Sequence, residues 1–416
     1  MDRRAYSHNP IIKGQGICDP HMHVFRDRMY IYCSHDVGLE EKNFCMRDWC
    51  IVSSEDLVSW RIESFPRPED TYIGPTRDCW ATDAAERNGK YYFYYSHGME
   101  STGVSVSDDP GTGFKDALGK PLLPKGLTPT FSYDPCVFID DDEQKTPYII
   151  FGTPVWAGGD SYYIARLNED MISLAEKPRK IALNDYADDK PALHKYNGKY
   201  YLSWASHYAI ADNVYGPYRY AGFTGASTDH GNFTQWRGQW FQAFTIFDPF
   251  WYNRATGLCY VHFKDNGEMV TDQLIREYGV GQYEGSWNRI EAEWYMEIQN
   301  ARKVEMPYGG FGVRADNGGW IRFPHIHDVP ANAGIGFYAG TDAEKDAVIE
   351  IRDTDPDGAL LGICEIRRPQ QHLISGYDYF VAKLNNRGGE ENLCLVFRGK
   401  DDRSVVTLDW FKLFER

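Results

Sequence analysis

The chain has 416 residues and is therefore long enough for one large domain and a second, smaller one. Its formal net charge of −16 argues against a nucleic-acid partner and against binding to an anionic membrane surface. Aromatic residues make up 15% of the chain, including 29 Tyr and 12 Trp, and this excess is typical of an all-β protein with aromatic-rich strands.

The nine cysteines do not indicate a disulfide framework, because they are odd in number, scattered and form no CxxC pair. A chain of this size does not need disulfides to fold, so we expect reduced thiols and a cytoplasmic location. The N-terminal segment MDRRAYSHNPIIKG has no apolar stretch like that of a signal peptide. If a signal was removed from the sequence, the expected location is instead outside the cell.

A turn followed by a short aromatic strand recurs along the first part of the chain. The copies are RDRMYIYCS (26–34), NGKYYFYYS (88–96), TPYIIFG (146–152), NGKYYLSWAS (197–206) and RGQWFQAFT (237–245). An Asn-Gly turn favours a type I′ hairpin, since both central residues must adopt positive φ. Repeated sheet units at this spacing, with hardly any helical periodicity between them, predict a five-bladed β-propeller over residues 1–283.

The stretch GICDPHMHVFRD (16–27) allows a second interpretation. An Asp-x-His-x-His strand also begins the metal-dependent amidohydrolases, in which the two histidines bind zinc. On a regular strand Asp19, His21 and His23 would share one face. That enzyme class needs a βα barrel with long amphipathic helices, which the sequence lacks. We therefore favour the propeller, with Asp19 in its pocket and His21 at the rim.

The pattern changes near residue 285, where the aromatic hairpins stop. Alternating strands bounded by turns follow: AVIEIRDT (347–354), GICEIRR (362–368), ENLCLVFRG (391–399) and VVTLDWFKLF (405–414). Strands at this spacing predict a β-sandwich of the jelly-roll kind over residues 284–416. The expected fold class is thus all-β, a five-bladed propeller followed by a sandwich.

Several stretches of the first domain, taken together and in order, resemble glycoside hydrolase family 43. They are NPIIKGQGICDPHMHVFRDRMYIYCSHD (9–36), CWATDAAERNGKYYFYYSHG (79–98), GVSVSDDPGTGFKDALGKPLL (103–123), SYDPCVFIDDD (132–142), LNEDMISL (167–174) and HKYNGKYYLSWAS (194–206). The resemblance covers residues 9 to about 275 and implies an inverting glycosidase on a five-bladed propeller.

The arabinofuranosidase and xylosidase members are the most similar. We therefore expect an exo-acting enzyme that removes α-L-arabinofuranosyl residues from arabinoxylan or arabinan oligosaccharides. The alternatives are a β-xylosidase, a β-galactofuranosidase, or a catalytically weak protein that mainly binds sugar. No cofactor is expected to be required for the chemistry, and the sequence leaves the oligomeric state open.

Inverting hydrolysis needs a carboxylate base that activates water and a carboxylic acid that protonates the leaving group. By resemblance, Asp19 matches the base and Asp134 the aspartate that modulates the acid's pKa. Asp189 stands where the family has a glutamate acid, and its side chain is shorter by roughly 1.5 Å. Three interpretations stay open: Asp189 serves a deeper-lying substrate, Asp188 takes over the role, or the site is mainly a binding site.

Six side chains are candidates for contact with the sugar. They are His21, Trp80, Trp156, Trp204, Tyr208 and His230. Tyr and Trp suit sugar rings because they combine an apolar face with a polar tip. In the family, a histidine at the position of His230 often helps hold a calcium ion near the propeller axis through water, or touches the substrate. Asp83 is more typical of a structural residue.

The second domain resembles carbohydrate-binding module family 6, through RIEAEWYM (289–296), NGGWIRF (317–323), LCLVFRGKDD (393–402) and VVTLDWFKLF (405–414). The resemblance implies a structural calcium ion bound by Glu291, Glu293 and Asp409. Arg314 and Thr407 stand where that family has a stacking aromatic and an asparagine. Sugar binding by this domain therefore stays open.

Overall fold

The structure is a computed structural model that describes residues 8–38, 44–153, 159–183, 188–247, 253–341, 347–368, 376–399 and 404–416. The chain divides into two compact units. The first comprises Met1–Thr234, Phe241–Cys259 and Thr271–Gly279, and the second comprises Gln235–Trp240, Tyr260–Val270 and Val280–Arg416. The predicted single boundary between residues 283 and 284 stays a prediction.

Five four-stranded sheets follow one another along the chain, and in each of them every strand pairs with the next. The first sheet contains β1 (Ile17–Phe25), β2 (Arg28–Asp36), β3 (Met46–Ser54) and β4 (Arg61–Ser64). The second contains β5 (Cys79–Arg87), β6 (Lys90–His97), β7 (Ser101–Ser107) and β8 (Lys115–Asp116). The third contains β9 (Cys136–Ile139), β10 (Pro147–Thr153), β11 (Ser161–Arg166) and β12 (Arg179–Lys180).

The last two sheets have the same order. The fourth contains β13 (Pro191–Tyr196), β14 (Lys199–Trp204), β15 (His207–Ala211) and β16 (Arg219–Phe223). The fifth contains β17 (Gly231–Trp236), β18 (Gln239–Ile246), β19 (Ala255–Phe263) and β20 (Met269–Thr271). Five such sheets are the blades of a β-propeller, and the predicted fold class is confirmed.

The repeated aromatic segments are the second strands of the blades. The turns that precede four of them place two residues at positive φ, as a type I′ hairpin requires: Arg26–Asp27, Asn88–Gly89, Asn197–Gly198 and Arg237–Gly238. The aromatic side chains pack between blades. Trp49 of the first blade, for example, lies 4.8 Å from Tyr95 of the second, measured between ring centroids. The aromatic excess therefore largely serves the core.

The first strands of neighbouring blades contact one another, β1 with β5, β5 with β9, and β9 with β13. The fifth blade contacts the first through Asn232 in β17, whose side chain accepts a hydrogen bond from the Met22 amide and donates one to its carbonyl oxygen. Residues at or just before the start of these first strands are therefore brought together, although they are far apart in sequence.

The second unit contains the remaining strands. They are β21 (Tyr283–Glu284), β22 (Ile290–Glu291), β23 (Glu297–Glu305), β24 (Phe311–Val329), β25 (Gly334–Gly340), β26 (Ala347–Asp353), β27 (Leu360–Ile366), β28 (Asp378–Lys383), β29 (Gly389–Arg398) and β30 (Ser404–Phe414). Their main order is β27-β26-β29-β24-β30-β25-β28, and the two end strands lie beside each other, so that the sheet is nearly closed.

Helices contribute little to the described parts of the chain. One α-helix, α1, spans Gln273–Tyr278, and 3₁₀ turns span Pro68–Asp70 and Ala292–Trp294. None of the helices described is long and apolar enough to cross a membrane.

Candidate active site

A cavity of about 370 Å³ lies in the first unit, among the starts of the first strands. Its charged lining consists of Asp19, Asp134, Asp188, Asp189, Lys190, Asp229, His230 and Arg254. Its apolar lining includes Phe44, Met46, Trp80, Met99 and Phe247. The three aspartates predicted to be catalytic, together with Trp80 and His230, therefore share one pocket with an apolar wall.

Asp19 reaches this pocket because the strand that carries it is irregular. Its φ is 51°, and the pairing of β1 with β2 shifts register between Cys18 and His21. The Asp19 amide donates a hydrogen bond to Thr245 Oγ1 at 3.0 Å, which holds this conformation. Regular alternation is thus broken immediately after the residue, and Asp19 does not share a face with the histidines that follow it.

The Asp19 carboxylate is bound by a buried arginine. Arg254 donates from Nη1 to Oδ1 at 2.7 Å and from Nη2 to Oδ2 at 3.2 Å, and His230 Nδ1 lies 3.2 Å from Oδ1. Burial by itself would raise the pKa of Asp19. The positive charges of Arg254 and His230 outweigh it and lower the pKa of Asp19 to about 2. Asp19 is consequently ionised and suited to accept a proton.

Asp134 lies opposite, two residues before β9, also with a positive φ of 51°. Its amide donates to Ser96 Oγ at 3.0 Å, and its Oδ2 accepts a hydrogen bond from the Lys190 amide at 3.1 Å. Burial raises the pKa of Asp134; His230, 3.3 Å away, opposes this, and the Asp189 and Asp19 charges reinforce it. The repulsion between the Asp134 and Asp189 charges is the interaction that the predicted modulating role requires.

Asp189 and Asp188 both line the pocket and share one ammonium group. Lys190 Nζ lies 2.5 Å from Asp189 Oδ1 and 3.2 Å from Asp188 Oδ2, and Tyr133 donates its hydroxyl to Asp189 Oδ2 at 3.1 Å. Burial would raise the pKa of Asp189, but Lys190 and His230 together lower it. The pKa of Asp188 is raised by burial, with Lys190 opposing.

His230 lies in the pocket between Asp19 and Asp134. Its Nδ1 lies 3.0 Å from Asp229 Oδ1, and its Nε2 points toward Asp134. Although burial lowers the pKa of His230, the surrounding carboxylates, with Asp19 first, raise it well above the ordinary value. The imidazole is therefore a cation placed between Asp19 and Asp134.

Asp229 and Arg254 were not identified from the sequence. Asp229 has a recognisable signal, because it lies two residues before the first strand of its blade, as Asp134 and Asp189 also do. Arg254 precedes β19, the third strand of the fifth blade. It contacts Asp229 within its own blade and reaches Asp19 and Asp36 of the first blade through the closure of the propeller, and nothing local in its sequence indicates this.

Asp19, Asp229 and His230 offer ligand atoms within 4.8 Å of one another, which raises the question of a metal ion. Calcium takes six to eight oxygen ligands. Here Arg254 Nη1 already binds both carboxylates, at 2.7 Å and 2.9 Å. The donor set therefore does not fit a directly bound calcium ion.

His21 and His23 turn away from the pocket toward Asp83. His21 Nδ1 lies 3.2 Å and His23 Nε2 lies 2.5 Å from Asp83 Oδ1. The other Asp83 oxygen accepts the Val137 amide at 2.6 Å. Asp83 thus connects the first strands of three blades, in line with its predicted structural role. His21 and His23 both contact the Asp83 carboxylate, which is not part of the cavity lining.

The other aromatic candidates differ in position. Trp80 lines the cavity, 6.1 Å from Tyr133 between ring centroids, and donates from Nε1 to the Phe44 carbonyl oxygen at 3.2 Å. Trp204 and Tyr208 are fully buried in the core and are not part of the cavity lining. Trp156 lies outside the described residues.

In the second unit, the residues predicted to bind calcium have protein partners. Arg289 Nε lies 2.6 Å from Glu291 Oε1, and Tyr308 donates to Asp409 Oδ2 at 2.9 Å. Glu293 is buried. The calcium site stays a prediction.

Comparison with known proteins gives the family. Residues 7–269, more than half of the chain, match the family described as Glycosyl hydrolases family 43. This chain belongs to glycoside hydrolase family 43. It is accordingly a glycoside hydrolase, and hydrolysis in this family proceeds with inversion at the anomeric carbon.

Relatives of this family 43 enzyme differ in how much of it they match. A xylosidase/arabinosidase from Bacteroides ovatus is 30% identical over 56% of this chain and 86% of its own length. An arabinoxylan arabinofuranohydrolase from Paenibacillus polymyxa is 25% identical over 96% of this chain and 73% of its own length.

A solved structure extends the comparison to both units. The family 43 arabinoxylan arabinofuranohydrolase from Bacillus subtilis, crystallised in complex with cellotetraose, has a TM-score of 0.57 and 20% identity. The match covers 98% of this chain and 97% of that chain. At this identity the similarity shows the fold alone.

Proposed function

We propose that this enzyme is an exo-acting α-L-arabinofuranosidase that acts on arabinoxylan or arabinan oligosaccharides. The observation that carries the proposal is the extent of the match to the Paenibacillus polymyxa arabinoxylan arabinofuranohydrolase, which runs through 96% of the chain and includes the second unit. The pocket supports it, because a cavity of about 370 Å³ with an aromatic wall suits a single terminal sugar.

In the proposed mechanism, Asp19 is the base. Its low pKa keeps it ionised, and it removes a proton from the water that attacks the anomeric carbon. Asp189 donates a proton to the glycosidic oxygen as the bond to the leaving group breaks. Asp134 binds the amide of the residue next to Asp189 and so orients it, while the negative charge of Asp134 opposes ionisation of Asp189.

The substrate is tested with nitrophenyl glycosides. We expect the highest kcat/KM with the α-L-arabinofuranoside, compared with the β-D-xylopyranoside and the β-D-galactofuranoside. Proton NMR of the reaction should show the β-anomer of arabinose appearing first, because water attacks from the opposite face. A higher kcat/KM with the xyloside would instead support the β-xylosidase alternative, and no hydrolysis of any of the three would contradict the proposal.

The choice between the two neighbouring aspartates is tested by matched variants. On an arabinoxylan oligosaccharide we expect Asp189→Asn to lose about 10²–10⁴-fold in kcat, the usual contribution of a general acid. Asp188→Asn should lose less than tenfold. The reverse order would transfer the acid role to Asp188.

A further inference from the structure

Lys190 has an unusual conformation for a lysine in the wall of a pocket. Its φ is 64°, in the left-handed region, and its side chain is only 9% exposed. Non-glycine residues rarely adopt this conformation, and those that do cluster at functional sites where the surroundings enforce it. The burial and the backbone conformation of Lys190 therefore indicate that its ammonium group has a role in the pocket.

The ammonium group lies among three carboxylates. Its distance is 2.5 Å to Asp189 Oδ1, 3.2 Å to Asp188 Oδ2 and 3.8 Å to Asp229 Oδ1. Burial alone would lower the pKa of Lys190, but these carboxylates, Asp189 first, raise it above the ordinary value. Lys190 therefore remains a cation throughout the pH range in which the pocket carboxyls titrate.

The contact with Asp189 is strong only while Asp189 is a carboxylate, because a charge-assisted hydrogen bond needs both charges. The other groups that act on Asp189 come from several elements. They are Asp188 on its own segment, Tyr133 and Asp134 before β9, Tyr162 on β11, and His230 before β17. The negative charge of Asp134 favours the protonated acid, whereas the positive charges of Lys190 and His230 and the contact with Asp188 favour the carboxylate.

Resting on the assignment of Asp189 as the acid, we propose that Lys190 is a positioning residue that controls the protonation of Asp189 and confines glycoside cleavage to acidic solution. The proton that leaves Asp189 passes to the glycosidic oxygen as that oxygen separates from the anomeric carbon, and Asp19 takes the proton of the attacking water. An Asp189 already ionised by Lys190 cannot start this step. The alkaline limit of activity is therefore set by the Asp189–Lys190 pair.

The test is the pH profile of kcat/KM, which reports the acid and base of the free enzyme. The substrate is the phenyl glycoside of the sugar that the wild type hydrolyses fastest, because a phenolate leaving group needs the proton of Asp189. We expect Lys190→Met to move the alkaline limb upward by about 1–3 pH units, the usual effect of removing an opposite charge at this distance. Lys190→Arg, which keeps the charge, should leave the limb within a few tenths of a unit.

Lys195 provides a matched control in the same hairpin. It also binds two aspartates, Asp140 at 2.8 Å and Asp141, but lies outside the pocket. Lys195→Met should leave the alkaline limb unchanged. An alkaline limb that does not move in folded Lys190→Met, or that moves equally in Lys195→Met, would overturn the proposal.

Two further measurements distinguish a failure of the role proposed for Lys190 from a failure of the acid assignment of Asp189. Carboxyl ¹³C NMR of the wild type, with the Asp189 signal assigned by its loss in Asp189→Asn, does not depend on the folding of any Lys190 variant. We expect its midpoint below about 3.9, the ordinary aspartate value, and a midpoint above it would overturn the proposal. If Asp189→Asn is fully active, the acid assignment itself fails; if it is inactive and the limb stays fixed in Lys190→Met, only the role of Lys190 fails.

Discussion

Three residues of the pocket, Asp19, Asp134 and Lys190, have a left-handed backbone, with φ of 51°, 51° and 64°. Each amide donates a hydrogen bond to a side chain: to Thr245, to Ser96 and to Asp134, respectively. These hydrogen bonds to side chains stabilise the left-handed conformation, which is otherwise disfavoured because it brings Cβ too close to the following carbonyl oxygen. The strain places charged groups in the cavity rather than along a regular strand.

Arg254 is the residue on which the ionisation of Asp19 depends most. Arg254→Met would remove the guanidinium and leave burial to raise the pKa of Asp19. Because the base must be ionised, we expect the acid limb of kcat/KM to move upward by about 1–3 pH units. The measurement is the pH profile with an aryl glycoside.

Arg61→Met is the control for this substitution. Arg61 also pairs with a carboxylate, Glu63, but its side chain is 62% exposed and lies outside the cavity. The acid limb of kcat/KM in Arg61→Met should equal that of the wild type. An unchanged limb in Arg254→Met would show that Arg254 does not hold the charge of Asp19.

At the scale of elements, the sequence was sufficient to predict those features of the strands and turns that depend on a short local motif. The turns before the aromatic strands and the acidic residues at the starts of β1, β9 and β13 were all predictable from short motifs. The register shift after Asp19 was not, because a bulge has no fixed signature in the alternation. For the same reason His21 was expected at the pocket rim, whereas it contacts Asp83.

Asp83 connects the first strands of three blades through His21, His23 and the Val137 amide. Asp83→Ala should lower the free energy of unfolding by about 3–5 kcal/mol, since it leaves buried partners without their acceptor. Urea unfolding measures this. Asp212→Ala, at an 83% exposed aspartate paired with Lys199, should change it by less than about 1 kcal/mol.

The contribution of Asp83 to the free energy of unfolding depends on pH. Burial would raise the pKa of Asp83, but His23 and His21 lower it below the ordinary value. Asp83 therefore stabilises the fold above the pKa of the unfolded chain, and this contribution is lost as the pH falls toward the folded value. Equal losses of stability in Asp83→Ala and Asp212→Ala would contradict this role.

At the scale of the whole molecule, closure of the propeller creates contacts that no single segment encodes. Arg254 meets Asp19 across 235 positions of sequence, and Lys190 meets Asp134 across 56. Family resemblance could place the three aspartates, since their motifs are short and ordered along the chain. It could not place Lys190 and Arg254, because each also has partners that other blades supply: Asp229 for Lys190, and Asp19 and Asp36 for Arg254.

The central claim is that Asp19 and Asp189 divide the reaction between water activation and proton donation. Its most direct test compares phenyl and dinitrophenyl glycosides of the same sugar in Asp19→Asn and Asp189→Asn. A dinitrophenolate leaves without being protonated, so Asp189→Asn should lose about 10²–10⁴-fold in kcat on the phenyl glycoside and approach the wild type on the dinitrophenyl glycoside. Asp19→Asn should be impaired on both substrates, and equal losses by the two variants on both substrates would contradict the claim.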